Sequence, residues 1–422
     1  MKYFGISNNH TAISSQQATK EANAKLLFRI IEREGQISRA QLSRISGLSR
    51  STVSVLTEEM IRNHMLLEAG EGESEPTGRK PILLEVDPSG LQIPCFAFRP
   101  TGLLFVLYDL KYQIIEQCFL PYGARLERVK ADAYKKYVNP PEDDVIDLFD
   151  EIINERSRKT EWDKVRALTI SFPGSFDWKN NTFTSIVLGW AFGSRFIDNL
   201  RARFSSIPLL VGNLSALLAY AEKKADNSNR DNLLYIHIGQ GVGAGIILNN
   251  QPFTGESGIS GEIGRHIVSK YQKNDEIHCT RLEDIASITS LMRRVRDGIK
   301  NGENTVLLQM CGYNAEAINI PMIRKALEQK DGFVMEIIKE IAVEISSVIS
   351  NTLCVLGSMD VFIGGGIEEL GPGFLKLLQD TMAHIGYHRV LGRTKVQYTR
   401  LPINGDCLGA AKAYVDNQLV VI

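Results

Sequence analysis

A short polar break, Asp87-Pro88-Ser89-Gly90, separates two stretches of chain whose apolar spacings belong to different architectures. Before it, Ala24, Leu27, Phe28 and Ile31 recur at three- and four-residue intervals over 22–34 and predict a helix that Gly35 ends. Ser38 opens a second, short helix with Leu42 and Ile45 inward and Gly47 at its end. Ser49 is placed to cap a third helix that runs to Asn63 on a buried face of Val53, Leu56 and Met60. An apolar run at 65–69, the polar loop Glu-Gly-Glu-Ser-Glu-Pro-Thr-Gly and a second run at 82–86 predict a β-hairpin. Three helices, the last two joined through Ser46-Gly47-Leu48-Ser49, followed by a hairpin, give a winged helix-turn-helix over 21–88. Residues 1–20 are polar and without period, and are expected to form a flexible arm.

After the break the pattern becomes strands alternating with helices, which means an α/β architecture. Two strands are predicted in 92–110 around Arg99-Pro100-Thr101-Gly102, a helix at 143–156, and a buried strand at 165–172 ending in Pro173-Gly174. A strand at 208–211 and a helix at 215–224 follow, then two strands about a glycine-rich turn at 233–248. A long helix at 333–356 precedes a strand that runs into Gly364-Gly365-Gly366. The 422 residues are too many for one core. The expected division is a first α/β lobe at 91–225 and a second at 226–422, split in the polar stretch 224–232, with an effector cleft between them and dimerisation through the second. Six scattered cysteines make neither a disulfide framework nor a four-cysteine zinc site, and no stretch is apolar enough to span a membrane, so a cytoplasmic protein is expected.

A recognition helix reads base edges with short polar and basic side chains on its first turns. Ser49, Arg50, Ser51, Thr52 and Ser54 fit that description, and Arg79 and Lys80 give the hairpin a basic tip suited to a minor groove. The partner expected is a double-stranded DNA operator. Bulk charge does not decide the matter, because the net charge is −1 and residues 21–80 hold nine basic and nine acidic side chains. A three-helix interaction module without DNA is the alternative these residues leave open.

The segment Glu-Gly-Gln-Ile-Ser-Arg-Ala-Gln-Leu at 34–42, the helix-turn-helix that follows and Gly-Arg-Lys-Pro-Ile-Leu-Leu-Glu-Val-Asp-Pro at 78–88 together resemble the N-terminal module of the ROK family (repressors, open reading frames, kinases). The resemblance continues through Ser-Phe-Pro-Gly at 171–174, Leu-Gly-Trp at 188–190, Gly-Gln-Gly-Val-Gly-Ala-Gly-Ile at 239–246 and Gly-Ile-Ser-Gly-Glu-Ile-Gly at 258–264. Arg-Leu-Glu-Asp-Ile-Ala-Ser at 281–287, the triple glycine at 364–366 and Gly-Asp-Cys-Leu-Gly-Ala-Ala at 405–411 complete it, over roughly 22–412. It implies a two-lobed actin-like, sugar-kinase-like (ribonuclease H-like) ATPase fold. Family members with a winged helix are mostly sugar-responsive repressors; those without one are mostly sugar kinases.

The departures from the kinase pattern are chemical. Where the resemblance places the acid and glycine of the Mg-ATP hairpin, this chain has Ala97 and Arg99, and only Thr101 remains. Leu214 replaces the aspartate that takes the proton of the sugar hydroxyl. Arg265 replaces the histidine of the family's zinc site, and Asn274, Glu276 and Arg281 replace its cysteines, leaving His266, His278 and Cys279 as ordinary residues. The glycine loops 239–243 and 364–366 persist and are read as strand-end turns. No catalysis, cofactor or metal is therefore expected. Asn213, Glu262 and Glu283 survive among the family's sugar contacts, and Arg265 beside them implies an anionic effector such as a phosphorylated or acidic sugar. The resulting expectation is a homodimer, or dimer of dimers, that represses carbohydrate genes. An active kinase carrying a winged helix and a regulator whose kinase-like part binds a protein are the two rivals.

Overall fold

The computed structural model describes residues 15–72, 80–123, 139–204, 207–225, 230–273 and 276–417. Three helices open the chain: α1 (Ser15–Glu34), α2 (Arg39–Ser46) and α3 (Arg50–Arg62). The strands β1 (Ile37–Ser38), β2 (Leu66–Glu71) and β3 (Ile82–Val86) form a sheet in the order β1-β3-β2, with Leu66 opposite Val86 and Ile37 opposite Leu84. Leu27, Ile31, Leu42, Val53, Leu56, Met60 and Leu84 close over one another as the core of this winged helix. Helix α2 begins with a reciprocal Ser38–Gln41 capping box and ends on Gly47 at φ 71°, a left-handed position that glycine takes without strain.

Two expectations are corrected here. Helix α1 already runs from Ser15, so 15–20 are helix and not arm; Lys20 there pairs with Glu59 of α3 at 2.8 Å. Residues 1–14 lie outside the described residues. Ile45 is 49% exposed, because the eight-residue α2 buries only Leu42 in full.

The break after the winged helix is tightly built. Asp87 accepts from the backbone and hydroxyl of Ser89 at 2.9 and 2.8 Å, and a Cβ at Gly90 would stand 1.5 Å from the carbonyl oxygen of His64, so only glycine fits. From there β4 (Ile93–Arg99), β5 (Gly102–Tyr108) and β6 (Ile114–Pro121) form an antiparallel meander, with β7 (Leu168–Phe172) and β11 (Leu209–Asn213) added in parallel. The sheet order is β11-β7-β4-β5-β6. Its core is aromatic, with Phe96, Phe98, Phe149, Phe172, Phe183 and Trp190 in ring contact. A small antiparallel sheet of β8 (Ser175–Asp177), β9 (Thr182–Ser185) and β10 (Trp190–Phe192) adjoins it in sequence.

The second sheet repeats that topology with β12 (Leu233–Ile238), β13 (Val242–Leu248), β14 (Gln251–Phe253), β17 (Asp360–Gly364) and β18 (Val396–Tyr398), ordered β14-β13-β12-β17-β18. Numbered within each sheet, both follow the order 3-2-1-4-5, the first three strands antiparallel and the last two added in parallel. An aliphatic core backs the second sheet, and the long helix Gly332–Leu356 runs through it with Val334, Ile338, Ile341, Ile345 and Ile349 buried. A ribbon of β15 (Ile267–Lys273) and β16 (Glu276–Arg281) completes the strands.

The boundary between compact units differs from the expectation. The units divide at 213/214 and again at 405/406, not at 225/226. Helix Leu214–Ala225 belongs with the second sheet: a Cβ on Gly245 of β13 would lie 2.0 Å from the carbonyl oxygen of Ser215, and Thr399 donates to the buried Glu222 at 2.5 Å. Residues 406–417 of the last helix, Gly405–Asn417, belong with the first: Cys95 donates from Sγ to the Cys407 carbonyl at 3.4 Å. The same helix meets the winged helix, where Arg29 Nε stands 3.2 Å from Asp416 Oδ1 and Arg29 Nη2 donates to the Asp416 carbonyl at 3.0 Å. The chain passes between units at the Asn213–Leu214 junction with no linker, which is why composition points instead to the polar stretch eleven residues on.

Candidate nucleic-acid interface and effector site

Helix α3 presents the expected polar face. Ser49 is the N-cap, its Oγ accepting from the Thr52 amide at 3.1 Å and lying 2.9 and 2.8 Å from the hydroxyls of Ser51 and Thr52. That hydroxyl cluster fixes the start of the helix, so the part left to Ser49 is structural first. Arg50 and Ser51 are exposed and Ser54 half-buried, while Val53, Leu56, Thr57 and Met60 face the core. Arg39 holds the pair of helices against the wing, donating to Thr57 Oγ1 at 3.2 Å and to Glu68 at 3.1 Å. Lys80 lies at the base of the wing, 3.7 Å from Glu71, with both side chains largely in solvent. Arg79 lies outside the described residues.

The hairpin of β4 and β5, where the resemblance places the phosphate loop, is held from inside. Ala97 is fully buried between Leu104 and Ser171, its partners in the adjacent strands. Arg99 forms a two-pronged ion pair with Asp406, at 2.8 and 2.6 Å, and the Ser171 hydroxyl donates to the same carboxylate. Burial disfavours both charges, but the Arg99 guanidinium and the hydrogen bonds from Arg99 and Ser171 still hold the Asp406 carboxyl below the usual carboxylate range. The Arg99 guanidinium is thus committed to Asp406 within the protein. Sequence reasoning misses Asp406 and Ser171; the one available signal is an arginine where a glycine is expected, in an apolar strand that has to supply it a counter-charge.

Leu214 opens helix Leu214–Ala225 where the base would stand, and a hydrocarbon cannot accept a proton. Beside it in sequence, Asn213 ends β11 and donates from Nδ2 to the Gly174 carbonyl at 2.5 Å, so its amide braces the Ser-Phe-Pro-Gly turn.

In the second unit the glycine loops have a packing reason to exist. A Cβ at Gly239 would approach His237 Nε2 to 2.8 Å, and one at Gly365 would approach His237 Nδ1 to 2.7 Å. The imidazole thus occupies the angle between the two loops, and at Gly365, with φ 104° and the Ile238 backbone 2.8 Å from a built Cβ, glycine is required whether or not a nucleotide binds. The segment bearing Glu262 is equally constrained. Gly261 has φ 75°, and a Cβ on it would stand 1.9 Å from the Ala244 carbonyl oxygen of β13. Glu262 then starts the short turn Ile263–Arg265.

Arg265 does not stand ready for an anion: its Nη1 lies 2.7 Å from Glu283 Oε1. Burial raises the Glu283 carboxyl above the ordinary glutamate value, with the Arg265 charge pulling the other way. The pair is neutral overall, so the ground for expecting an acidic or phosphorylated effector falls away. On the neighbouring ribbon, Tyr271 and His278 stack with centroids 5.0 Å apart, and Cys279 pairs across from Lys270. No group of three or more metal-binding side chains forms among the described residues.

The repeated 3-2-1-4-5 sheets behind a winged helix define an actin-like, sugar-kinase-like protein with a DNA-binding type of N-terminal module. The ROK family model matches residues 127–401, and the chain belongs to that family. It is 27% identical over 307 residues to the xylose repressor of Staphylococcus xylosus, covering 71% of this chain and 73% of that one. Among solved structures it resembles a ROK family transcriptional regulator, a homologue of the Escherichia coli MLC protein, with a TM-score of 0.72, 21% identity and coverage of 94% and 97%. It also resembles a ROK family glucokinase from Streptomyces griseus, with a TM-score of 0.59, 19% identity and coverage of 76% and 98%. The two structural likenesses establish the fold.

Proposed function

We propose that this protein is a sequence-specific DNA-binding repressor of carbohydrate genes, working in the cytoplasm as a dimer, whose kinase-like units sense a sugar without phosphorylating it. The observation that carries the reading is a conjunction within one chain. A recognition helix with Arg50 and Ser51 exposed is joined to kinase-like units in which Leu214 stands for the base and the Arg99–Asp406 pair for the phosphate hairpin. The similarity to repressors supports the DNA-binding role. A two-fold dimer would match a palindromic operator.

Glu262, Glu283 and Asn213 are the proposed sugar contacts, since carboxylates and amides suit adjacent hydroxyls. With Arg265 already neutralised by Glu283, a neutral hydroxyl-rich sugar ranks first. The test has two arms. Selection from a random duplex library should enrich one palindromic sequence, and an ADP-release assay over a panel of sugars should stay at background. Loss of a positioned base alone costs about 10²–10⁴-fold in rate. Turnover near 1 s⁻¹ on any sugar would refute the non-catalytic reading, and a library that enriches nothing would refute the repressor reading.

A further inference from the structure

Resting on the DNA-binding reading, we infer that Val55 is a specificity-determining residue that reads the 5-methyl group of a thymine in the major groove. Val55 is 56% exposed in the middle of α3. It lies four residues after the exposed Ser51, three before the exposed Glu58 and seven before the exposed Arg62, spacings that put all four on one helical face. The opposite face, Val53, Leu56, Thr57 and Met60, is the one spent on the core.

A single exposed apolar side chain is common on protein surfaces and by itself needs no explanation. Two facts set this one apart. A β-branched residue is a poorer choice than alanine or a long polar residue in an exposed helix interior, because its χ1 freedom is restricted there, and Val55, more than half exposed, offsets little of that cost by burial. It also stands one turn after the polar residues of the first turn, on the face that a recognition helix turns to the base edges. Among the groups lining the major groove, thymine alone presents a methyl; the others are hydrogen-bond donors and acceptors, with which an isopropyl group cannot pair. Ser51 and Arg50 on the preceding turn supply the hydrogen-bonding contacts, and Val55 supplies the apolar one.

The experiment uses the full-length protein and the operator it selects from a random duplex library. Each thymine of the half-site is replaced in turn by uracil, which keeps every hydrogen-bonding group and removes only the methyl. Binding is measured for wild type, Val55→Ala and Val55→Thr. One thymine is expected at which uracil weakens wild-type binding by about three- to fivefold per half-site, the loss of roughly one buried methyl. Val55→Ala should bind the thymine and uracil duplexes alike, and Val55→Thr, which keeps one methyl, should fall between. Neither variant should melt appreciably below wild type, since the side chain is largely exposed and alanine is the better helix former. Selective operator binding with no thymine whose methyl depends on residue 55 overturns the inference and leaves the repressor reading intact. Failure of the wild type to select any sequence overturns both.

Discussion

Asp406 and Arg99 meet across 307 residues of sequence, one at the start of the last helix and the other at the end of β4. Neither charge is sustainable alone where they stand, since Asp406 is buried and Arg99 nearly so. Removing one partner of a buried pair leaves the other uncompensated, which costs about 3–5 kcal/mol. Asp406→Ala should therefore lower the urea midpoint by that equivalent, and Arg99→Met combined with Asp406→Leu should restore most of it. The pH dependence has a definite sign. The folded carboxyl titrates below its unfolded value, so its stabilisation is present above the unfolded value near pH 4 and is lost as the pH falls through the lower folded one. The acid limb of the stability curve of Asp406→Asn should be correspondingly flatter. At this scale the sequence shows what is missing and conceals what replaces it. Ala97, Leu214 and Arg265 are readable as departures because they sit inside motifs. Their actual surroundings, Ser171 and Asp406 for one loop and Glu283 for Arg265, depend on contacts between distant segments that no spacing encodes.

The helix-turn-helix was the most legible element because its determinants are local. The Ser38–Gln41 box, Gly47 in the left-handed region and the Ser49 cap all lie within four residues of the turn they govern. The same locality makes a direct test available: Ser49→Ala removes the acceptor for the Thr52 amide and should cost about 1 kcal/mol in thermal stability. Arg50→Ala leaves the helix intact and should instead weaken operator binding by about 1–3 kcal/mol if Arg50 reads a guanine, or weaken all duplexes equally and flatten the salt dependence if it holds a phosphate. Equilibrium titrations at two salt concentrations separate these outcomes. Elements set by tertiary packing were harder to read. Ile45 fits a helical stripe but lies beyond what so short a helix can bury. The boundary at Asn213–Leu214 carries no turn or linker composition, because a strand passes directly into the next unit's helix.

Across the whole molecule, a sheet topology used twice and a winged helix used once carry the proposed roles of sensing and binding. Family motifs made both legible, and strand alternation alone had already required an α/β architecture. A sugar can change DNA affinity only by as much as it distinguishes the two states of the protein, so a tenfold release from DNA requires about 1.4 kcal/mol of coupling. Thermal-shift screening should find a neutral sugar whose stabilising effect is lost in Glu262→Gln; retention of the effect in that variant would move the ligand elsewhere. The central claim, that this is a sequence-specific repressor, meets its most direct test in an equilibrium anisotropy titration of the full-length protein. The selected operator is compared with a scrambled duplex of the same length and composition at about 150 mM salt. Specific recognition predicts an affinity ratio of about 10³ or more in favour of the operator. Equal affinity for the two duplexes would contradict it.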